Sequence, residues 1–330
     1  MKKLSLLLCA LCVGLCMIAC TPNGESIVNG STDTTQYYSY EKGDEYAVGN
    51  FAQTIEEIDS IEINWLNGSV NIRGEDSLTV TAREDYLPKP GYEPYSLHYY
   101  VEKKVLHLRF MHCNLQISTS LPTKNLTVAV PKNFLFKKIT VTTNTAKTNM
   151  RDLSCDDFAQ YSGGIGTDFL AENCKFKSFF SNVTTGDTTV SSCSFAEKTE
   201  FTLGTGSFIM ENSETALLKG TCRTGDLILE NARVLSADVS LSLTGDCYFT
   251  DLYAENFSVS CTAGDIFVHL SPDMTDYSLQ CRSPFKVSYP ENMPTEESKN
   301  VIHLKTATGK IKFLEKEEIE DLLLPPSKEE

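Results

Sequence analysis

Apolar and polar residues alternate through most of the chain in short runs separated by turn residues, and the runs recur. "TGDLILEN" at 224–231, "LTGDCYFTD" at 243–251 and "TAGDIFVHL" at 262–270 each place an aspartate after a glycine and apolar residues two and four positions on. Anchored on the glycine position, the repeats begin at Ala146, Gly166, Gly186, Gly206, Gly225, Gly245 and Gly264, at steps of 20, 20, 20, 19, 20 and 19 residues. One further step reaches Ser283, with Phe285 and Val287 in the apolar places, and Gly309 reopens the pattern with Ile311 and Phe313. Upstream, Gly68 precedes Val70 and Ile72 in the same way.

Alternate residues of a strand share a face, so Thr188/Val190, Phe208/Met210, Leu227/Leu229, Cys247/Phe249 and Ile266/Val268 are expected to point into one interior. The residues between them, Thr189, Ile209, Ile228, Tyr248 and Phe267, leave the outer face unusually apolar. No stretch before Lys312 has sustained helical periodicity. A period near 20 built from short strands and turns predicts an all-β chain, a single-stranded parallel β-helix or solenoid with one coil per repeat. A lone coil would not fold, because ordering about 20 residues costs more than burying about four to six apolar side chains returns. Nine or so stacked rungs at about 4.8 Å would make a rod on the order of 40 Å long.

Glycine tolerates the positive φ of a tight corner, and aspartate bonds nearby amides there, so Gly68, Gly166, Gly186, Gly206, Gly225, Gly245, Gly264 and Gly309 read as structural turn residues. "AEN" at 171, "MEN" at 210, "LEN" at 229 and "AEN" at 254 mark a second corner, where stacked asparagines would bond from coil to coil.

The order "IEINWLNGSVNIRG", then "LTVAVPKNFLFKKITVTT", then serial "TGD" coils resembles the bacterial candidate-adhesin domains, a class of unknown function, over residues 50–315. The resemblance implies a right-handed parallel β-solenoid on a cell surface, and it transfers no functional residues. Ala146 departs from the pattern by lacking the glycine of the first corner.

The N-terminus changes the picture of where such a rod would sit. "MKKLSLLLCALCVGLCMIAC" has two lysines, an apolar stretch and small residues before Cys20, the layout of an export signal ending in a lipobox. The expectation is a bacterial lipoprotein: a signal peptide over 1–19, lipid attachment at Cys20, which becomes an N-terminal diacylglyceryl cysteine carrying acyl chains such as palmitate, and an extracytoplasmic chain anchored to the cell membrane. Removing residues 1–19 takes Lys2 and Lys3 and no acid, leaving 27 basic against 44 acidic side chains, a net −17. That charge repels nucleic acid and anionic lipid headgroups, so neither is expected as a ligand.

Three features invite chemistry. The file Asp187, Asp226, Asp246 and Asp265, interrupted by Ser207, offers a weak metal site. Neighbours one rung apart would repel by about 0.9 kcal/mol in water, but Ca²⁺ needs six to eight oxygens converging on one point, so turn chemistry is the expectation and no metal or cofactor is called for. Cys155, Cys174 and Cys193 recur at 19 and 19, and Cys222 and Cys261 lie two rungs apart; small core thiols are the first reading and bridges the second. His98, His107, His112, His269 and His303 fall at no metal-ligand spacing, "GGIG" at 163–166 reads as a corner, and Arg223 and Arg233 are the only arginines between 152 and 281, too few for a lyase-type face.

The expected organisation is a signal peptide (1–19), a flexible tether (20–50), a solenoid domain (51–314) that includes an N-terminal β-hairpin about Glu102–Lys104, and a short acidic C-terminal cap (315–330) with Ile319, Leu322 and Leu323 covering the rod's end. The expected function is non-enzymatic: a monomeric surface scaffold for binding or adhesion whose ligand is a protein or glycan. An envelope-stress accessory protein is the alternative, and a polysaccharide-active enzyme the third reading.

Overall fold

The computed structural model describes residues 36–89, 93–117, 121–272, 277–289 and 298–323. The expected signal peptide and Cys20 lie outside them. About two thirds of the described residues are strand, with 22 strands joined in one sheet and a single α-helix, Lys316–Leu323 (α1), among the described residues.

Alternation produces the strands, and the 19- or 20-residue step produces their pairing. Thr188 pairs in parallel with Phe208, Phe208 with Leu227, Leu227 with Cys247 and Cys247 with Ile266. These belong to short strands whose inward residues are almost fully buried. A second set of longer parallel strands, Lys175–Thr185, Ser194–Thr205, Glu214–Thr224 and Arg233–Thr244, stacks beside them, and several carry a register shift. One contiguous apolar core runs between the two sets, and phenylalanines such as Phe179, Phe201, Phe208, Phe249 and Phe257 are among its largest fully buried side chains.

Each repeat turns at two corners. At the glycine corner, Gly225 has φ +137°, and an added Cβ would stand 2.2 Å from the carbonyl oxygen of Gly206 in the rung beneath. Positive φ and close backbone approach together demand glycine. At the other corner Asp152, Asn173, Ser192, Asn212, Asn231 and Asp251 all have φ between +46° and +57°, a conformation that Asn and Asp tolerate better than most residues.

Several expectations need correction. Gly166 is not in the glycine column. Thr148 pairs with Phe169, and Gly186 packs on the backbone of Thr167, so the steps there are 21 and 19 residues and buried Thr167 holds the position. Gly166 belongs to a bend beside exposed Ile165, where an added Cβ would meet nothing within 4 Å. The "AEN" at 254 is not a corner either: Asp251 turns the chain, and Asn256 pairs with Ser236 inside a strand. Cys155 pairs with Phe176, which places it in a different column from Cys174 and Cys193.

Both ends depart from chain order. Ile266 is followed in the stack by Ile311, and Asn256 by Val301, while Tyr277–Arg282 pairs on the far side of Asn300–Thr306. Gly309 therefore rests on Gly264, and Ser283 lies outside it, its hydroxyl donating to the Gly309 carbonyl at 2.8 Å. The more apolar segment takes the inner rung: Ile302, Leu304 and Ile311 are buried, whereas Phe285 is exposed. At the other end Ser60–Glu75 lies between Leu135–Arg151 and the strands Val105–Arg109 and Lys124–Pro131. Antiparallel strands close that end, including the hairpin His98–Glu102/Val105–Arg109, which turns through Lys103 and Lys104 at φ +49° and +65°.

Residues 36–50, expected within a tether, are part of this closure. Tyr38 and Tyr40 are buried, and the Tyr40 hydroxyl donates to the Met111 carbonyl at 3.1 Å. Lys124, wholly buried, contacts Glu84 at 2.8 Å and the carbonyls of Tyr95 and Phe110 at 2.5 Å beneath the rings of Trp65 and Phe110. The helix α1 packs on the flank against Cys247–Ala263 and Ile266–Leu270. Ile319 is buried against that flank, whereas Leu322 and Leu323, expected beside it over the rod's end, are exposed.

Candidate functional site

The outer side of the short strands carries three parallel rows. Ile228 shows the pattern: Leu227 and Leu229 point inward and are buried, and Asp226, Ile228 and Glu230 share the outward face. Residues two apart on a strand are about 6.8 Å apart, so the outer rows stand about 13–14 Å from each other.

The central row is Leu170, Thr189, Ile209, Ile228, Tyr248 and Phe267, in continuous register. All but Phe267, which is buried, are half-exposed. The Tyr248 and Phe267 rings stack at 5.3 Å, and the Lys312 ammonium lies 5.7 Å from the Phe267 ring at the upper limit of the row.

The first flanking row is the aspartate file, extended downward by Asp168. Each carboxylate accepts the amide of the next rung: Asp168 that of Asp187 at 3.3 Å, Asp187 that of Ser207 at 2.7 Å, Asp226 that of Asp246 at 2.8 Å, Asp246 that of Asp265 at 2.7 Å, and Asp265 that of Lys310 at 2.8 Å. Ser207 continues the chain, its hydroxyl accepting from the Asp226 amide at 3.1 Å. The bonds join rungs rather than closing single corners. One oxygen of each carboxylate is thus committed to backbone, and among the described residues no three or more His, Cys, Asp or Glu side chains converge as metal ligands. Burial first, and then Asp246 and Asp187, push the Asp226 carboxyl above its ordinary value.

The second flanking row is Glu172, Ser191, Glu211, Glu230 and Thr250. Sequence reasoning passed over it, although the glutamates stood in the same "AEN", "MEN" and "LEN" triplets that marked the corner. Burial and then Glu230 push the Glu211 carboxyl up. Asn231 donates to Asn212 at 2.8 Å beside this row, the coil-to-coil bond expected there.

Cations close the face at both ends. Lys147 pairs with Asp168 at 2.7 Å and Arg151 with Glu172 below, while Lys312 and Lys316 stand above, Lys316 pairing with Asp251 at 2.6 Å. Between them lie about five rungs with a mainly apolar middle, flanked on one side by Asp187, Asp226 and Asp246 and on the other by Glu211 and Glu230, with Ser207, Ser191 and buried Thr250 in the remaining places.

The remaining candidate residues lie apart. Cys174 and Cys193 immediately precede the in-register pair Lys175 and Ser194. Cys222 and Cys261 are separated by Leu241. The neighbouring Cys193 thiol first, and burial second, hold the Cys174 thiol well above the usual range, and burial pushes Cys222 and Cys261 up to about 11. His98 is buried against the Ser96 carbonyl and meets His112 edge to face at 5.3 Å. His107 approaches Glu62 and His269 approaches Asp251, at 3.4 and 3.1 Å.

No protein-family model matches the chain, and no curated protein does. The chain is similar to solved structures of a candidate adhesin from Parabacteroides distasonis (15% identity, 81% of this chain and 97% of that one, TM-score 0.42). It is similar also to one from Bacteroides fragilis (12%, 81% and 97%, TM-score 0.41) and one from Parabacteroides merdae (14%, 81% and 96%, TM-score 0.37).

Proposed function

We propose that this chain is a non-enzymatic, cell-surface binding scaffold: a right-handed parallel β-solenoid, held outside the cell membrane by a lipid on Cys20, that presents the outer side of its short strands to a ligand. The observation that supports this reading is the partly buried central row from Leu170 to Tyr248, kept in register over five rungs and flanked by Asp187, Asp226 and Asp246 on one side and Glu211 and Glu230 on the other. Apolar side chains held at repeated spacing on a flat face are the makings of a contact surface. The aspartates beside them are spent on joining rungs, which favours a structural role for them over acid–base chemistry.

The test is a binding screen of the full-length chain against glycans, matrix proteins, cell-wall polymers and peptides, with Ile209→Ser/Ile228→Ser as the control. The reading expects at least one ligand bound by the native chain and lost in the double variant. A ligand bound equally by both, or turnover of a polymer in the same screen, would count against it.

A further inference from the structure

The dimensions of the face point to the shape of its partner, an inference that rests on the scaffold reading above. An α-helix with its side chains is about 10–12 Å across and rises about 4.5–6 Å for every three or four residues. The two acidic rows stand about 13–14 Å apart, and the rungs repeat at about 4.8 Å. A helix laid along the row would thus fit between the margins and set an apolar residue near each rung. Its flanking residues would reach Asp226 and Asp246 on one side and Glu211 and Glu230 on the other. An extended strand laid the same way repeats its side chains at about 6.8 Å and falls out of step.

Charge selects the sign of the partner. Burial first, and then the neighbouring carboxylates, make Asp226 and Glu211 hold their protons more tightly than usual, and a cation placed between the rows relieves the repulsion part of that. The chain shows a helix lysine on an acid just outside the rows: α1 packs on the adjoining flank and pairs its Lys316 with the corner residue Asp251 at 2.6 Å. A second copy would bring the same acidic face and an acidic helix, "KEEIEDLL". We propose that the face between Leu170 and Tyr248 docks a cationic amphipathic α-helix of about 13 residues, its apolar side on Ile209 and Ile228 and its lysines or arginines against the two acidic rows. Four rung intervals of about 4.8 Å give that length at about 1.5 Å per residue.

The probe is a fluorescent 14-residue Leu/Lys helical peptide, titrated by anisotropy onto the full-length chain in zwitterionic nanodiscs, with empty nanodiscs subtracted. A peptide of the same composition with its apolar side scrambled is the control. The expected result is at least tenfold tighter binding of the designed helix than of the scrambled one. Glu211→Gln/Glu230→Gln should weaken it by roughly 2- to 10-fold at low salt, with the difference shrinking at 0.5 M salt. Ile209→Ser/Ile228→Ser should weaken it on the order of tenfold. Equal binding of the two peptides, or equal binding by all variants, overturns the proposal, as does self-association of the chain through this face. If the peptide fails while a glycan or matrix protein binds and is lost in the Ile209→Ser/Ile228→Ser variant, the helix inference falls and the scaffold reading stands. If nothing binds, both fall.

Discussion

The Oδ1 atom of Asp246 accepts the backbone amide of Asp265, one rung above, at 2.7 Å. The same bond joins Asp226 to Asp246 and Asp265 to Lys310, so the aspartate file works as a seam between rungs. Removing a charged acceptor from a partly buried amide costs about 1–3 kcal/mol. Asp246→Ala is expected to lose that much in chemical denaturation, and Asp246→Asn, which keeps the oxygen and removes a repelling charge, markedly less. Equal losses would show that the seam bond carries no stability.

The ring of Phe201 lies 2.3 Å from the point where a Cβ on Gly220 would stand, and it stacks on Phe208 at 4.1 Å. Overpacking of this kind costs about 1–3 kcal/mol. Gly220→Ala is expected to lower the melting temperature accordingly. Gly163→Ala, with open space around it, should leave it unchanged.

Asp226 and Glu211 have folded-state pKa values raised above the unfolded ones. For a raised acid the folded chain binds a proton the unfolded chain does not, so stability is present at low pH and lost as pH climbs through the folded value. At low salt the melting temperature is expected to rise as pH falls from neutral toward the unfolded carboxyl range of about 3.9–4.3. Added salt at pH 7 should act in the same direction. Asp226→Asn/Glu211→Gln should flatten both responses; unchanged slopes would contradict the assignment.

Cys174 and Cys193 occupy adjacent rungs of one column, their Cα atoms about 4.8 Å apart, within the reach of a disulfide. Cys222 and Cys261 have Leu241 between them. Oxidation of the folded chain with diamide, followed by peptide mapping, is expected to give a Cys174–Cys193 bridge and no Cys222–Cys261 bridge. The reverse pattern would mean the register is wrong.

Much of this was legible because corners are the least negotiable part of a winding chain. The Gly-Asp dipeptides at 225, 245 and 264 stand where positive φ, a carbonyl packed against the glycine and an amide awaiting an acceptor coincide. Gly166 misled for the same reason: a glycine at the right interval looked like a corner, while Thr167 held the place one residue later. Cys155 recurred at 19 residues from Cys174, yet a 21-residue step put it in another column. Periodicity also reports spacing without order, so nothing in "SPFKV" revealed that the rung holding Ile302 and Ile311 slips inside it. The glutamate row was visible but was read only for the asparagine beside it, because a corner explains Asn231 and says nothing of Glu230.

The central claim is that matching positions stack in parallel at one rung per repeat, and it is tested by distances along one outward row. Asn182, Ser240, Ser260 and Lys305 lie in that row at zero, three, four and five rungs. Spin-label pairs from 182 to each of the others are expected to give separations that grow by about 4.8 Å per rung. The step from 260 to 305 should add a single rung although the two positions are 45 residues apart in sequence. A separation that fails to grow from 240 to 260, or one that grows by two rungs or more from 260 to 305, would contradict the account.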